Sequence, residues 1–146
     1  MEENNAKFSD GVNSKNWEYA YPALQWLLQN WPEFAENIYI NGGVVMVNLA
    51  SKTKDVERRM ELADSLMILY DMRMKFYGEE PKLKIYKAQY ATKFYYKQDQ
   101  KHPELFEILD ETYKEVRNDL SYSMTPVYLL SARTIYLDDS MSREEF

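Results

Sequence analysis

The stretch YINGGVVMV, residues 39–47, decides the fold. Asn41-Gly42 between branched apolar residues is the strongest short-range signal for a two-residue β-hairpin. The chain around it reads as helix. Counting on from Pro32, residues Phe34, Ile38, Val45, Met46 and Leu49 share one helical face, with Ala35, Tyr39 and Gly42 beside them. That template accounts for residues 33–50. The hairpin template covers only about ten residues and leaves a two-stranded ribbon, which is marginal without further strands. Residues 39–47 are therefore expected to be helical. Each glycine then costs up to ~1 kcal/mol relative to alanine. The expected compensation is close helix–helix approach at Gly42 and Gly43.

The same period extends along the chain. From Asp55 to Tyr77, one stripe runs Val56, Met60, Ala63, Met67, Tyr70, Met74, Tyr77, and a second runs Leu62, Leu69, Phe76. A helix with two apolar stripes is expected to pack between neighbours. Gly78 supplies a stop and Pro81 blocks continuation. Pro32, Pro81, Pro103 and Pro126 fall where helices should begin, because proline's missing N–H has no partner to lose in a first turn. Thr125 suits an N-cap ahead of Pro126. Pro22, inside the pattern of residues 17–31, should kink that helix or mark its start. Further helices are expected over 81–98, 103–119 and 126–137. Ser142 and Glu145 make a capping-box pattern at the chain end, a helix start with no helix after it.

Bulk properties restrict function. The chain of 146 residues is 45% hydrophobic and 29% charged, which is globular rather than disordered. A formal net charge of -6 disfavours nucleic acid and acidic membrane surfaces as general partners. No apolar run reaches bilayer length, so direct membrane insertion is not expected. No cysteine is present, which removes disulfides, thiolate metal sites and cysteine nucleophiles.

The spacing from Pro32 to Pro81 to Pro126 gives units of about 45 to 49 residues, each a pair of helices. Such a chain of helical hairpins reads as an α-solenoid. The segments NWEYAYPALQWLLQNWPEFAENIYINGGVVMVNLASKTKD, residues 16–55, and ELADSLMILYDMRMKFYGEE, residues 61–80, resemble the bacterial tetratricopeptide-like proteins. The likeness is specific around Asn37–Gly42 and Ser65–Gly78 and loose over the rest of residues 16–137. It implies an all-α fold: a right-handed α–α superhelix of antiparallel helical hairpins, with about six helices. The chain is expected to be a single domain over residues 1–146, with 1–15 poorly ordered and 138–146 opening a cut-off helix. The family is mostly uncharacterised, so the resemblance implies architecture rather than activity.

No residue set points to chemistry. His102 is the only histidine. With Asp99 three residues before it and Pro103 after it, it reads as a solvated cap or loop residue rather than a metal ligand. Glu57, Glu61, Asp64 and Asp71 lie at helical spacing, but Arg58, Arg59 and Arg73 alternate with them, as on a solvated face with local ion pairs. Gly42-Gly43 lacks the Gly-Lys-Ser/Thr of a phosphate loop. No catalytic, cofactor-binding or metal-binding residues are therefore assigned. The unusual surface is residues 82–101, where lysines interleave with tyrosines. Tyr86, Tyr90, Lys93 and Lys97 are the candidate partner-binding residues. The function expected is a non-catalytic protein–protein interaction module whose concave face holds a peptide or a partner's helix. The alternative is a structural element that oligomerises through its terminal helices, for example as a homodimer. A soluble protein is expected, cytoplasmic or, if an upstream export signal has been removed, periplasmic.

Overall fold

Residues 39–47 lie within one uninterrupted helix, α3 (Glu36–Lys52), so Asn41-Gly42 does not reverse the chain. The computed structural model describes residues 2–116. Among them are α1 (Glu2–Asn13), α2 (Trp17–Asn30), α3, α4 (Val56–Tyr77), α5 (Pro81–Tyr95), a single 3₁₀ turn (Asp99–Lys101) and α6 (His102–Val116), and no strand. The helices expected over 126–137 and from Ser142, with their proline and cap signals, lie outside the described residues. The chain divides into two compact units between Gly78 and Glu79.

In the first unit, α1 packs on α2, α2 on α3, and α3 on α4. Poor order was expected for residues 1–15, yet Glu2–Asn13 form α1. Its anchor is small: Phe8 is buried, and Gly11 lies against α2. A Cβ at Gly11 would sit 2.6 Å from the Ala20 Cβ and 2.9 Å from the Ala20 backbone, so a side chain there would force the two helices to shift apart. The link between the two helices is a Schellman turn. The Asn16 N–H bonds to the Gly11 carbonyl at 2.8 Å and the Lys15 N–H to that of Val12 at 3.1 Å, with Lys15 left-handed at φ 57°. Asn16 then turns its side chain to cap α2, accepting from the Tyr19 N–H at 3.2 Å. Helix α2 neither begins nor ends at Pro22, which sits exposed within it.

Gly42 is where three helices converge. A Cβ there would meet Leu24 of α2 at 2.9 Å and Leu69 of α4 at 3.6 Å. At Gly43 the nearest atom would be 3.9 Å away, an ordinary contact. Only the first glycine of the pair makes the close approach that was expected of both. Around it the core is Leu24, Leu27, Val45, Ala50, Leu62, Ala63 and Leu66, each nearly or wholly buried.

The start of α3 differs from the expected one. Pro32 is not a first-turn residue. It lies in a turn, and α3 begins at Glu36 after an extended Ala35 that makes no side-chain cap. The Pro32 carbonyl accepts a short hydrogen bond from the Tyr39 hydroxyl, tying the turn to the helix that follows. The boundaries of α4 match the sequence signals. Asp55 caps it by accepting from the Arg58 N–H at 3.3 Å, and Gly78 ends it at φ +107°, a conformation L side chains rarely adopt. Val56, which opens the expected stripe, is left exposed by its place in the first turn.

In the second unit, α5 and α6 pack through Leu83, Ala88, Ala91, Phe94 and Tyr95 on one side and Leu105 and Leu109 on the other. Pro81 opens α5, and Pro103 stands in the first turn of α6. Helix α5 stops at Tyr95, short of residue 98.

Candidate functional site

The expected partner surface on α5 is divided by the structure. Tyr86, Tyr90 and Lys93 follow steps of four and three, so they occupy one stripe of the helix. Tyr86 is 44% exposed and Lys93 is exposed, while Tyr90 is half-buried. Lys97 lies in the turn beyond the helix end and does not continue the stripe. The other aromatics of this segment have separate fates. Tyr95 and Phe94 are core residues, and Tyr96 returns to the surface.

His102 is not the solvated residue expected from the sequence. It is 5% exposed, and its Nε2 donates to the Tyr96 carbonyl at 2.6 Å. That carbonyl lies just past the end of α5, where a helix has acceptors without intrahelical donors. The imidazole supplies the donor and ties α6 to the α5 terminus. Its Nδ1 is buried with no hydrogen-bond partner among the described residues. No group of three or more metal-ligating side chains gathers among the described residues.

The acidic face of α4 is partly an ion-pair surface, as expected, and partly a strut. Arg58 bonds Glu61 at 3.1 Å on the exposed side. Arg73 instead reaches across to Glu36 of α3, with Nε and a terminal nitrogen each 3.1 Å from one carboxylate oxygen. Glu36 stands in the first turn of α3, where a carboxylate also meets the positive end of the helix dipole. Beneath this pair, Tyr39 and Tyr77 pack edge to face at 5.7 Å. Burial, with lesser contributions from Tyr77 and Glu33, pushes the Tyr39 phenol up to about 12. Burial, then Glu33 and Glu36, also raises that of Tyr77, whose hydroxyl lacks a hydrogen-bond partner among the described residues.

The concave feature of the first unit was not foreseen. An open groove of about 320 Å³ lies between α2 and α4 with α3 at its floor. Tyr21, Gln25 and Leu28 line one wall at steps of four and three, and Ser65, Ile68 and Met72 line the other at steps of three and four. Met46 and Leu69 close the floor. Ile68 is 60% exposed, the most exposed large apolar residue among those described. Nothing in the sequence pointed here: Ile68 lies off both expected stripes of α4, but so does Leu66, which is wholly buried. The groove follows from Gly42, since α2 and α4 both lean on α3 at that residue and leave a trough beside the contact. The Arg58 guanidinium lies 5.8 Å from the centroid of the Tyr21 ring. No helix among the described residues is long and apolar enough to cross a membrane.

Comparison with protein-family models, with curated proteins and with solved structures found no match.

Proposed function

We propose that the protein is a non-catalytic interaction module of helical-repeat type, its hairpins stacked in a tetratricopeptide-like superhelix, which binds another protein through the groove between α2 and α4. The observation that carries this reading is Ile68. A side chain of that size, more than half exposed on the wall of an apolar trough, leaves apolar area in water that a ligand would cover. The lining suits a partner's helix better than a small molecule. The α2 wall from Tyr21 to Leu28 rises about 10 Å along the helix axis, which matches apolar side chains spaced i, i+4 and i+7 on a docking helix. Met46 and Met72 are adaptable surfaces for such side chains. Gln25 and Ser65 give the rim neutral hydrogen-bonding groups. The α5 stripe of Tyr86, Tyr90 and Lys93 is a second contact surface under the same proposal.

Selection of a displayed library of helical peptides against the full chain tests this. Binders should carry apolar residues at that spacing, and Ile68→Glu should abolish their binding with helicity unchanged. Binders indifferent to Ile68→Glu but lost on Tyr86→Ala or Lys93→Glu would move the site to α5. A dimer in light scattering that Ile68→Glu converts to monomer would make the occupant a second copy of the chain. Failure to select any binder, from a chain that remains monomeric, would overturn the reading.

A further inference from the structure

The turn between α2 and α3 carries a feature that neither packing nor the groove uses. Trp31 and Phe34 stand edge to face, with ring centroids 6.3 Å apart and planes at 85°. Both remain substantially exposed, at 48% and 38%. With Asn30, Pro32 and Glu33 they line a surface hollow of about 410 Å³. Two large aromatics on a surface turn leave apolar area in water, and perpendicular rings present the walls of a corner rather than a flat patch.

The turn is braced. The Trp31 N–H bonds to the Leu27 carbonyl at 2.7 Å, ending α2, and the Phe34 N–H bonds to the Trp31 carbonyl at 3.0 Å, closing the loop. Asn30 donates its side-chain amide to the Trp26 carbonyl at 2.9 Å. Below, the buried Tyr39 holds the Pro32 carbonyl. The rings are thus presented from a fixed backbone, and little conformational freedom remains to be lost when a ligand arrives.

The charge at the hollow is negative. Of the two acids nearest the start of α3, Glu36 is occupied by Arg73. Glu33 forms no salt bridge among the described residues and is exposed on the wall of the hollow. Aromatic faces and a carboxylate attract the same class of ligand, because a ring's negative face and the carboxylate both stabilise a cation. The net charge of -6 draws cations towards the protein as a whole.

We infer that Trp31, Phe34 and Glu33 form a receptor for a cationic side chain, an arginine or lysine of a partner protein. A guanidinium or ammonium would lie against the exposed ring faces with Glu33 as counter-ion, and Pro32 would contact the alkyl stem. This site stands independently of the groove: it is a distinct hollow of different chemistry, and it can be occupied whether or not a helix docks between α2 and α4.

The test is a titration of the full chain with N-acetyl-arginine amide, followed by NMR at the indole N–H groups. The protein has three tryptophans, Trp17, Trp26 and Trp31, so two of them serve as internal controls. Trp31→Phe identifies the Trp31 signal. The expected result is a saturable shift of the Trp31 indole alone, absent with the neutral isostere N-acetyl-citrulline amide. Glu33→Gln should weaken it by about fivefold, the scale of one exposed charge contact. Three results would overturn the inference: all three indoles moving together, citrulline shifting Trp31 as arginine does, or Glu33→Gln leaving the curve in place. Glu33→Gln changes an exposed residue, so the fold is expected to survive it. Trp17 and Trp26 signals at their wild-type positions would confirm that.

Discussion

The four helices of the first unit and the α5–α6 pair of the second solve the same packing problem by opposite means. In the first, helices approach where a side chain is missing: Gly11 against Ala20, and Gly42 against Leu24 and Leu69. In the second there is no glycine at all. Ala88 and Ala91 provide the small face, and a buried imidazole holds the helix end. The two designs should fail differently. Glycine contacts are broken by added volume, and the second contact is broken by removing volume and a donor.

The largest effect is expected at Gly11. In Gly11→Ala the new methyl would meet backbone as well as the Ala20 side chain, and backbone cannot move aside locally. A loss of about 2 to 3 kcal/mol is expected from overpacking of this kind. Chemical denaturation measures it, and hydrogen exchange should place the lost protection in α1 and α2. An unchanged midpoint would mean that α1 contributes little to the unit, and the contrast with α5–α6 would vanish.

His102→Ala is next, at about 2 kcal/mol, from the lost hydrogen bond and the space left behind. Faster amide exchange should appear at the end of α5 and the start of α6. Changes confined to α1–α4 would contradict the tie to Tyr96.

Tyr39→Phe removes the hydroxyl that holds the Pro32 carbonyl and should cost about 1 kcal/mol. It should also alter the alkaline limb of stability. An unfolded tyrosine ionises near 10, whereas folded Tyr39 is pushed up to about 12. The protonated phenol is the form the fold prefers, so its contribution is complete below pH 10 and is lost as pH climbs from 10 to 12. Denaturation midpoints across that window should fall less steeply in Tyr39→Phe than in wild type. Equal slopes would show that Tyr39 ionises as it does in water.

How far the sequence disclosed these features depended on whether one helix or two were needed to see them. Helix α4 was legible because its stripe and its Gly78 stop lie within one continuous segment. Helix α1 was not, since its burial rests on Phe8 and Gly11, too few apolar residues to set a period. Gly11 gains meaning only from Ala20, on another helix. The start of α3 was misplaced because Pro32-Glu33 has the composition of a first turn, while the carbonyl of that proline is spent on Tyr39. His102 was read as solvated because Pro103 marks a boundary, and boundaries are usually wet. Here the boundary sits against the open carbonyls of α5. The groove required the pairing of α2 with α4, which no single segment of sequence shows. The α5 candidates were chosen from composition, and composition does not show that the helix ends before Lys97.

The smallest effect should be the sharpest test of the comparison, because it separates two neighbours of identical type. At Gly43 a methyl group would meet nothing nearer than 3.9 Å, so Gly43→Ala should collect the helix-propensity gain alone and stabilise the protein by about 0.5 to 1 kcal/mol. At Gly42 the same methyl would lie 2.9 Å from the end of Leu24, a fully buried side chain with little room to rotate. There the propensity gain is offset by an overpacking cost of about 1 kcal/mol or more, so Gly42→Ala should be neutral to destabilising. Thermal midpoints of the two variants should therefore move apart, Gly43→Ala upward and Gly42→Ala flat or downward. If both rise, Leu24 has a second position available, and the approach of α2 to α3 is not limited by the missing side chain. If both fall, the convergence of α2, α3 and α4 is tighter than a single glycine contact. The floor of the groove would then depend on the pair rather than on Gly42 alone.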